Sequence, residues 1–86
     1  RAPTDQERTA LLELAAELHK FPGHTSAADI QHCVFEVGKK HGFTDLKLWF
    51  QALYQILLGQ DTGPRMGTFI SIYGLEETQT LIASRV

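Results

Sequence analysis

The chain has 86 residues, a formal net charge of −2 and a sequence pI near 6.0. Its length permits one domain with a modest core, and 43% hydrophobic with 21% charged residues is typical of a globular protein rather than a disordered one. This acidic balance excludes nucleic-acid binding through overall positive charge, so any such role requires a local basic patch.

Neither a membrane span nor a targeting segment is recognisable in the sequence. The single Cys33 cannot form an internal disulfide, which agrees with a reducing compartment. We therefore expect a cytoplasmic protein with no membrane partner. The chain begins with Arg1 rather than methionine, which suggests a segment of a longer protein, a processed chain or a trimmed product.

The first predicted helix begins after Thr4 and ends near His19. Thr4 and Glu7 have the spacing of a capping box. Its apolar face consists of Leu11, Leu14, Ala15 and Leu18. Pro22 and Gly23 then interrupt the helical pattern.

Ser26 or Thr25 is the predicted cap of the second helix, with Asp29 in the first turn. The buried stripe of this helix consists of Ala27, Ile30, Val34 and Val37, flanked by Cys33 and Phe35. Gly42 follows as a natural helix terminator. Three residues of the last turn suit the negative end of the helix dipole, namely Lys39, Lys40 and His41.

The third helix is the most apolar and is predicted to begin after Thr44 and to end at Gly59. Apolar side chains cover nearly every side of it, so we expect it to be buried in a bundle. Its narrow polar stripe consists of Lys47, Gln51 and Gln55.

Pro64 is predicted to occupy the first position of a fourth helix, which Gly74 ends. Gly67 permits a neighbouring helix to approach closely. The residues expected to pack inward are Met66, Phe69, Ile70 and either Ile72 or Tyr73.

A fifth helix is predicted from Leu75 to about Ser84, packing through Leu81 and Ile82. Five helices and no convincing strand predict an all-α, compact five-helix bundle that forms a single domain over residues 1–86. The short loops predict mostly antiparallel neighbours.

No catalytic or metal-binding constellation is recognisable, so we expect no catalytic, cofactor or metal residues in this chain. The four histidines lack metal-ligand spacing with one another and with Cys33. Adjacent helical residues point in different directions, so His32 and Cys33 do not form a base and nucleophile pair. We expect Cys33 to be a packed thiol.

The run WFQALYQILLGQDTGPRMGTFISIYG, from Trp49 to Gly74, resembles the C-terminal end of class I aminoacyl-tRNA synthetases of the glutamyl and lysyl type. The shared pattern is an apolar helix, a Leu-x-Gly, a polar turn, a Gly-Pro and a short helix that closes on glycine. Class I lysyl-tRNA synthetase gives the fuller fit, which extends back to Phe35 and covers about half of the chain. Its matching residues are Trp49-Phe50, Ala52-Leu53-Tyr54, Leu57-Leu58-Gly59, Gly63-Pro64-Arg65, Gly67, Phe69-Ile70 and Gly74.

The resemblance implies the last part of an α-helical cage domain, which holds the tRNA anticodon stem-loop. The family uses ATP to attach lysine to its tRNA, in an upstream Rossmann-type domain with HIGH-like and KMSKS-like signatures. Neither signature is present here. We therefore expect tRNA and the upstream catalytic domain as partners, and ATP binding in that domain.

Arg65 is the first candidate for a tRNA contact, because it lies where the polar turn meets a helix N-terminus and its planar fork can hold a phosphate or a base edge. The alternative is a structural arginine that bonds loop carbonyls. Gln60 and Thr68 are candidates for base-edge contacts or, alternatively, solvated or capping residues.

Three lysines around the Gly42 corner are candidates for phosphate contacts or, alternatively, a solvated face that complements the dipole, namely Lys39, Lys40 and Lys47. Trp49 and Tyr54 can stack on bases in principle, but in so apolar a helix we expect Trp49 to pack in the core.

Two other functions remain open. One is a helical protein-interaction or adaptor domain that binds no RNA, which the acidic net charge favours. The other is the equivalent domain of a glutamyl-type synthetase. A nucleotide-binding domain with the two signatures, encoded upstream of Arg1, would distinguish the synthetase readings from the adaptor.

Overall fold

The computed structural model describes residues 1–86 and contains five α-helices and no strand. The helices are α1 (Asp5–His19), α2 (Ala27–Lys40), α3 (Leu46–Leu53), α4 (Met66–Tyr73) and α5 (Leu75–Arg85), and a π-helical segment over Tyr54–Leu58 continues α3. The predicted all-α, five-helix fold is confirmed. None of the helices combines the length and apolar character needed to cross a membrane.

Side-chain caps fix where the first two helices begin. Thr4 Oγ1 accepts a hydrogen bond from the Glu7 amide at 3.2 Å, and Glu7 Oε1 accepts one from the Thr4 amide at 2.9 Å. These two bonds form the predicted capping box. At α2, Ser26 rather than Thr25 is the cap, because Ser26 Oγ accepts from the Asp29 amide at 3.1 Å.

Two predicted helix boundaries are wrong. Asp45 rather than Thr44 caps α3, because its carboxylate accepts from the Lys47 amide at 3.0 Å. Pro64 lies outside α4, which begins at Met66 after Arg65 adopts an extended ψ of 130°. Sequence patterns commonly misplace helix ends by one or two residues, because the local hydrogen bonds decide them.

The core contains fifteen buried apolar side chains, drawn from all five helices. Trp49 is fully buried and donates its indole N–H to the Val34 carbonyl at 2.9 Å. Its ring contacts Phe43, with ring centroids 5.0 Å apart. A methyl group at Gly38 would lie 2.8 Å from the indole nitrogen, so α2 accommodates the ring only because residue 38 has no side chain. Trp49 is therefore a packing residue and is not accessible to a nucleobase.

The most extensive contacts join α2 with α4 and α1 with α5, rather than helices adjacent in sequence. Gly67 lies directly against α2, where an added methyl group would overlap the Ala27 carbonyl oxygen and approach Gln31 Cβ to 2.7 Å. The Gly67 amide also donates to Gln31 Oε1 at 2.6 Å. The predicted close approach of a helix at Gly67 is thus confirmed.

Several apolar residues expected to pack inward are exposed. The Leu48 side chain of the central helix is 58% exposed, so α3 is not buried on every side. In α4 neither of the two alternatives packs inward, since Ile72 is 82% and Tyr73 is 46% exposed. The inner face of α4 is formed by Met66, Gly67 and Ile70, which leaves the opposite side of this short helix open to solvent.

Candidate nucleic-acid interface

Tyr54 holds both ends of the polar turn that precedes α4. Its hydroxyl donates to the Pro64 carbonyl at 2.8 Å, while its own carbonyl accepts from the Gln60 amide at 3.2 Å. Gly59 makes the turn possible by adopting a left-handed φ of 68°. Burial raises the pKa of the Tyr54 phenol, so its hydroxyl remains a donor at neutral pH. Tyr54 is therefore a structural clasp, and its ring lies against Gly63.

Arg65 emerges from the end of this clasped turn, at the cap position of α4. Its side chain is exposed and takes part in none of the hydrogen bonds or ion pairs of the structure. It does not bond loop carbonyls, which was the structural alternative. The backbone amides near it are only partly free for an anion, because Gln31 accepts the Gly67 N–H. The guanidinium itself thus offers the principal free hydrogen-bond donors here.

Thr68 and Gln60 lie on either side of Arg65 in the chain, and both are exposed. Thr68 lies three residues after Arg65, in the first turn of α4. Gln60 lies in a shallow hollow with Arg1, Gln55 and Asp61. The Asp61 carboxylate there accepts from Gln55 Nε2 at 3.0 Å, so the surroundings of Gln60 suit a hydrogen-bonding group better than a phosphate.

Ion pairs distinguish the three candidate lysines. Lys40 Nζ lies 3.1 Å from a Glu13 carboxylate oxygen, and Lys39 Nζ lies 3.9 Å from Glu36. Of the eight Lys and Arg residues, five lie within ion-pair distance of a carboxylate. The three without such a partner are Lys47, Arg65 and Arg85.

The structure gathers some of the candidates and separates others. Gly67 packs at the Ala27–Gln31 end of α2, and Lys39 lies about 12 Å farther along that helix axis. Lys39 and Lys40 are thus remote from Arg65 and Thr68. Lys47 precedes Tyr54 by nearly two turns of α3, so it projects from the same side at a distance of about 10 Å along the axis. Arg65 and Thr68 are close neighbours in the chain, and Gln60 bonds to the clasp residue Tyr54 through its backbone amide.

Sequence reasoning missed the aromatic pair on the open side of α4. The rings of Phe69 and Tyr73 stack with centroids 5.1 Å apart and planes 16° apart. Phe69 and Tyr73 are four residues apart, which places them on one side of the helix, and Arg65 lies four residues before Phe69 at the cap position of α4. That spacing was the available signal. It was obscured because two apolar rings also fit an inward-facing stripe.

Two further observations concern metal binding and the reactivity of the single thiol. The described residues contain no group of three or more His, Cys, Asp or Glu side chains placed to hold a metal ion. Burial raises the pKa of the Cys33 thiol to about 11, so it stays protonated and is a poor nucleophile at neutral pH. Cys33 packs against the core as expected.

Comparisons with known proteins show similarity to lysine–tRNA ligases. The chain is 39% identical to the lysine–tRNA ligase of Rickettsia akari and 40% identical to that of Rickettsia bellii, each over 85 residues. These alignments cover 99% of this chain and 16% of either relative. The lysine–tRNA ligase of Rickettsia prowazekii is 37% identical over 83 residues.

No family model matches the chain, and no solved structure gives a significant match. The alignments with the lysine–tRNA ligases nevertheless run through all five helices, well beyond the half of the chain that carries the recognisable pattern. The chain therefore corresponds to a segment of lysyl-tRNA synthetases that spans 16% of the length of these relatives.

Proposed function

We propose that this chain is the tRNA anticodon-binding module of a class I lysine–tRNA ligase. Residues 1–86 act as a single domain at the C-terminal end of the α-helical cage. The parent enzyme attaches lysine to its tRNA with ATP, and an upstream domain of the same polypeptide binds ATP and performs the chemistry. The module works in the cytoplasm, and its role is recognition of a lysine-accepting tRNA rather than catalysis.

The observation that carries this proposal is the similarity to lysine–tRNA ligases over 99% of the chain. It is supported by an exposed arginine without an ion-pair partner, held on a clasped turn. A guanidinium in that position can bind a phosphate without first giving up an internal partner. Because Tyr54 fixes the turn, the Cα atom of Arg65 is already in place, which reduces the entropy lost on binding.

The ion pairs refine the predicted set of tRNA-binding residues. Arg65 and Lys47 carry the phosphate contacts, because neither has a carboxylate partner. Thr68 and Gln60 supply hydrogen bonds to base edges. Lys39 and Lys40 make weaker, peripheral contacts, because each must share its charge with a glutamate.

The first test is a salt titration of this chain with a lysine-tRNA transcript, beside a transcript whose anticodon is changed. We expect tighter binding of the cognate transcript and an affinity that falls as salt rises. Two phosphate contacts on an unpaired loop predict a slope of about −1.4 for the logarithm of the association constant against the logarithm of salt concentration.

Arg65→Gln and Arg85→Gln form a matched pair of variants, since both arginines are exposed and lack an ion-pair partner. Arg65 lies at the N-terminal cap of α4, whereas Arg85 is the last residue of α5. Arg65→Gln should weaken cognate binding and make the salt slope shallower by about 0.7 to 1, whereas Arg85→Gln should match the wild type. Equal effects of the two substitutions would reduce the interaction to general electrostatics. Absence of binding by the folded chain would contradict the proposal.

An adaptor domain that binds another protein is the second candidate function. The observations that favour it are the net charge of −2 and the exposed Ile72 side chain. A wild-type chain that binds no tRNA under low salt, with its helices intact by circular dichroism, would support the adaptor.

A further inference from the structure

We propose that the open side of α4 stacks one unpaired base of the bound RNA on Tyr73, while Arg65 contacts a phosphate of a neighbouring nucleotide. This inference rests on the proposed function, because it names the RNA feature that the same site recognises. It adds Tyr73 and Ile72 to the interface, the two residues of which the sequence predicted that one or the other would pack inward.

The Tyr73 ring is fixed in position before any ligand arrives. It stacks on Phe69 at 5.1 Å, and Phe69 in turn packs against the buried core. Tyr73 is still 46% exposed. Stacking of a base on an aromatic side chain stabilises a complex, and a ring that is already ordered loses little entropy on binding.

The other exposed apolar residues lack this geometry. The Lys39 ammonium lies 5.7 Å from the centre of the Phe35 ring and covers it. Leu12 and Leu48 are exposed but aliphatic. Ile72, by contrast, is 82% exposed and lies one residue before Tyr73. It provides an apolar surface for a ribose or a second base on the adjoining side of the helix.

The two ends of α4 differ in charge. Arg65 lies at the N-terminal end, about 12 Å along the axis from Tyr73. At the other end, a cleft of about 460 Å³ opens beside Tyr73 and is bounded by α5, including Glu76 and Glu77. A phosphate is attracted to the arginine and repelled by the glutamates, so the backbone lies at Arg65 and the base at Tyr73.

The polar atoms of that cleft are set up as acceptors. The Thr80 hydroxyl donates its proton to the Glu76 carbonyl at 3.2 Å, and the Ser84 hydroxyl donates to the Leu81 carbonyl at 2.7 Å. The carboxylates of Glu76 and Glu77 are acceptors when ionised. A base that presents amino or imino N–H groups fits this cleft, because carboxylates accept hydrogen bonds from such edges.

The experiment measures binding of a fluorescent lysine-tRNA anticodon stem-loop by anisotropy. Tyr73→Ala should weaken binding roughly tenfold without changing the salt slope, because stacking releases no counterions. Tyr73→Phe keeps the ring and should bind like the wild type. Phe35→Ala is the matched control, since it removes an exposed aromatic side chain from α2 and should leave affinity unchanged.

A second set of probes carries one abasic site at each unpaired loop position. One of these abasic probes should bind the wild type more weakly than the intact stem-loop does. Tyr73→Ala should bind that probe and the intact stem-loop equally, which identifies the stacked base. Wild-type affinity in Tyr73→Ala, with Arg65→Gln still weakened, would refute this inference and leave the proposed function standing. Loss of self-association in Tyr73→Ala, with RNA binding unchanged, would instead show that a second copy of the chain covers this face. A wild-type chain that binds no RNA would refute both proposals.

Discussion

Two glycines determine how closely the helices of this bundle approach one another. Gly38 leaves room for the Trp49 indole, and Gly67 lets α4 rest on the backbone of α2 at Ala27. The role of Gly67 was predictable, because a glycine inside a helix weakens it and usually has a packing reason. The identity of the residues on the far side of each contact was not, because they come from distant parts of the sequence.

Gly67→Ala should destabilise the protein. The added methyl group overlaps the Ala27 carbonyl oxygen, which belongs to the backbone and cannot rotate away. Overpacking of this kind costs about 1–3 kcal/mol, which exceeds the gain of up to about 1 kcal/mol in helix propensity. Thermal unfolding followed by circular dichroism should show a melting temperature lower by several degrees.

Gly23→Ala is the matched control for that substitution. A methyl group at Gly23 would meet no atom within 4 Å, and its φ is not positive. Its melting temperature should stay the same or rise slightly, because alanine restricts the unfolded chain. An equal loss in both variants would mean that the close contact at Gly67 is unimportant.

The element that most affects the candidate interface is the π-helical segment over Tyr54–Leu58 together with the turn that follows. The apolar pattern predicted one continuous α-helix as far as Gly59. The structure instead widens the last turn, so that the Gly59 and Gln60 amides both donate to the Tyr54 carbonyl. Single π-helical turns occur frequently at functional sites, and this one leads directly into the turn that carries Arg65.

Tyr54→Phe should test whether the clasp positions Arg65. Removing the hydroxyl breaks the bond to the Pro64 carbonyl and should lower the free energy of unfolding by about 1 kcal/mol. We also expect weaker binding of the anticodon stem-loop, with an unchanged salt slope, because the arginine keeps its charge but loses its fixed position. Urea unfolding and anisotropy measure the two effects. Lower stability with unchanged RNA affinity would show that the clasp is purely structural.

At the scale of the whole molecule, much of the charge is used within the fold. Arg1 forms a two-pronged ion pair with the buried Glu7, at 2.8 and 3.0 Å, and also donates to Gln55 at 2.6 Å. His41 and Lys40 both contact Glu13, which joins the end of α2 to α1. These contacts tie the ends of helices together, and they lower the pKa of both glutamates.

Stability should therefore decrease in acid. The Arg1 hydrogen bond lowers the Glu7 pKa, and the His41 hydrogen bond lowers the Glu13 pKa, from an ordinary value of 4.5. As pH falls, these carboxylates bind protons in the unfolded chain before they do so in the folded chain. The stabilisation is therefore complete above pH 4.5 and is lost as pH falls through the lowered pKa values of the folded state. Urea midpoints at pH 7 and pH 3 should differ less in the double variant Glu7→Gln, Glu13→Gln than in the wild type.

Asp29→Asn is the control for the acid measurement, because it removes an exposed carboxylate that has no ion-pair partner. It should retain the wild-type difference between pH 7 and pH 3. A double variant that loses as much stability in acid as the wild type would assign the pH dependence to other groups.

The sequence by itself determined the local features of this protein. Capping side chains, helix periodicity and glycine breaks act between residues a few positions apart, so they predicted the five helices and the Thr4–Glu7 capping box. The pattern from Trp49 to Gly74 also indicated the synthetase family, and relatives matching 99% of the chain confirmed it.

Only the tertiary structure decided which side chains are free to bind. Whether a lysine has a glutamate partner depends on how helices pack, and packing paired Lys40 with Glu13 from another helix while Lys47 and Arg65 remained unpaired. Packing likewise turned Gly67 and Ile70 inward and left Tyr73 outside. Periodicity identifies the stripes of a helix, but the distance between elements far apart in sequence decides which stripe is covered.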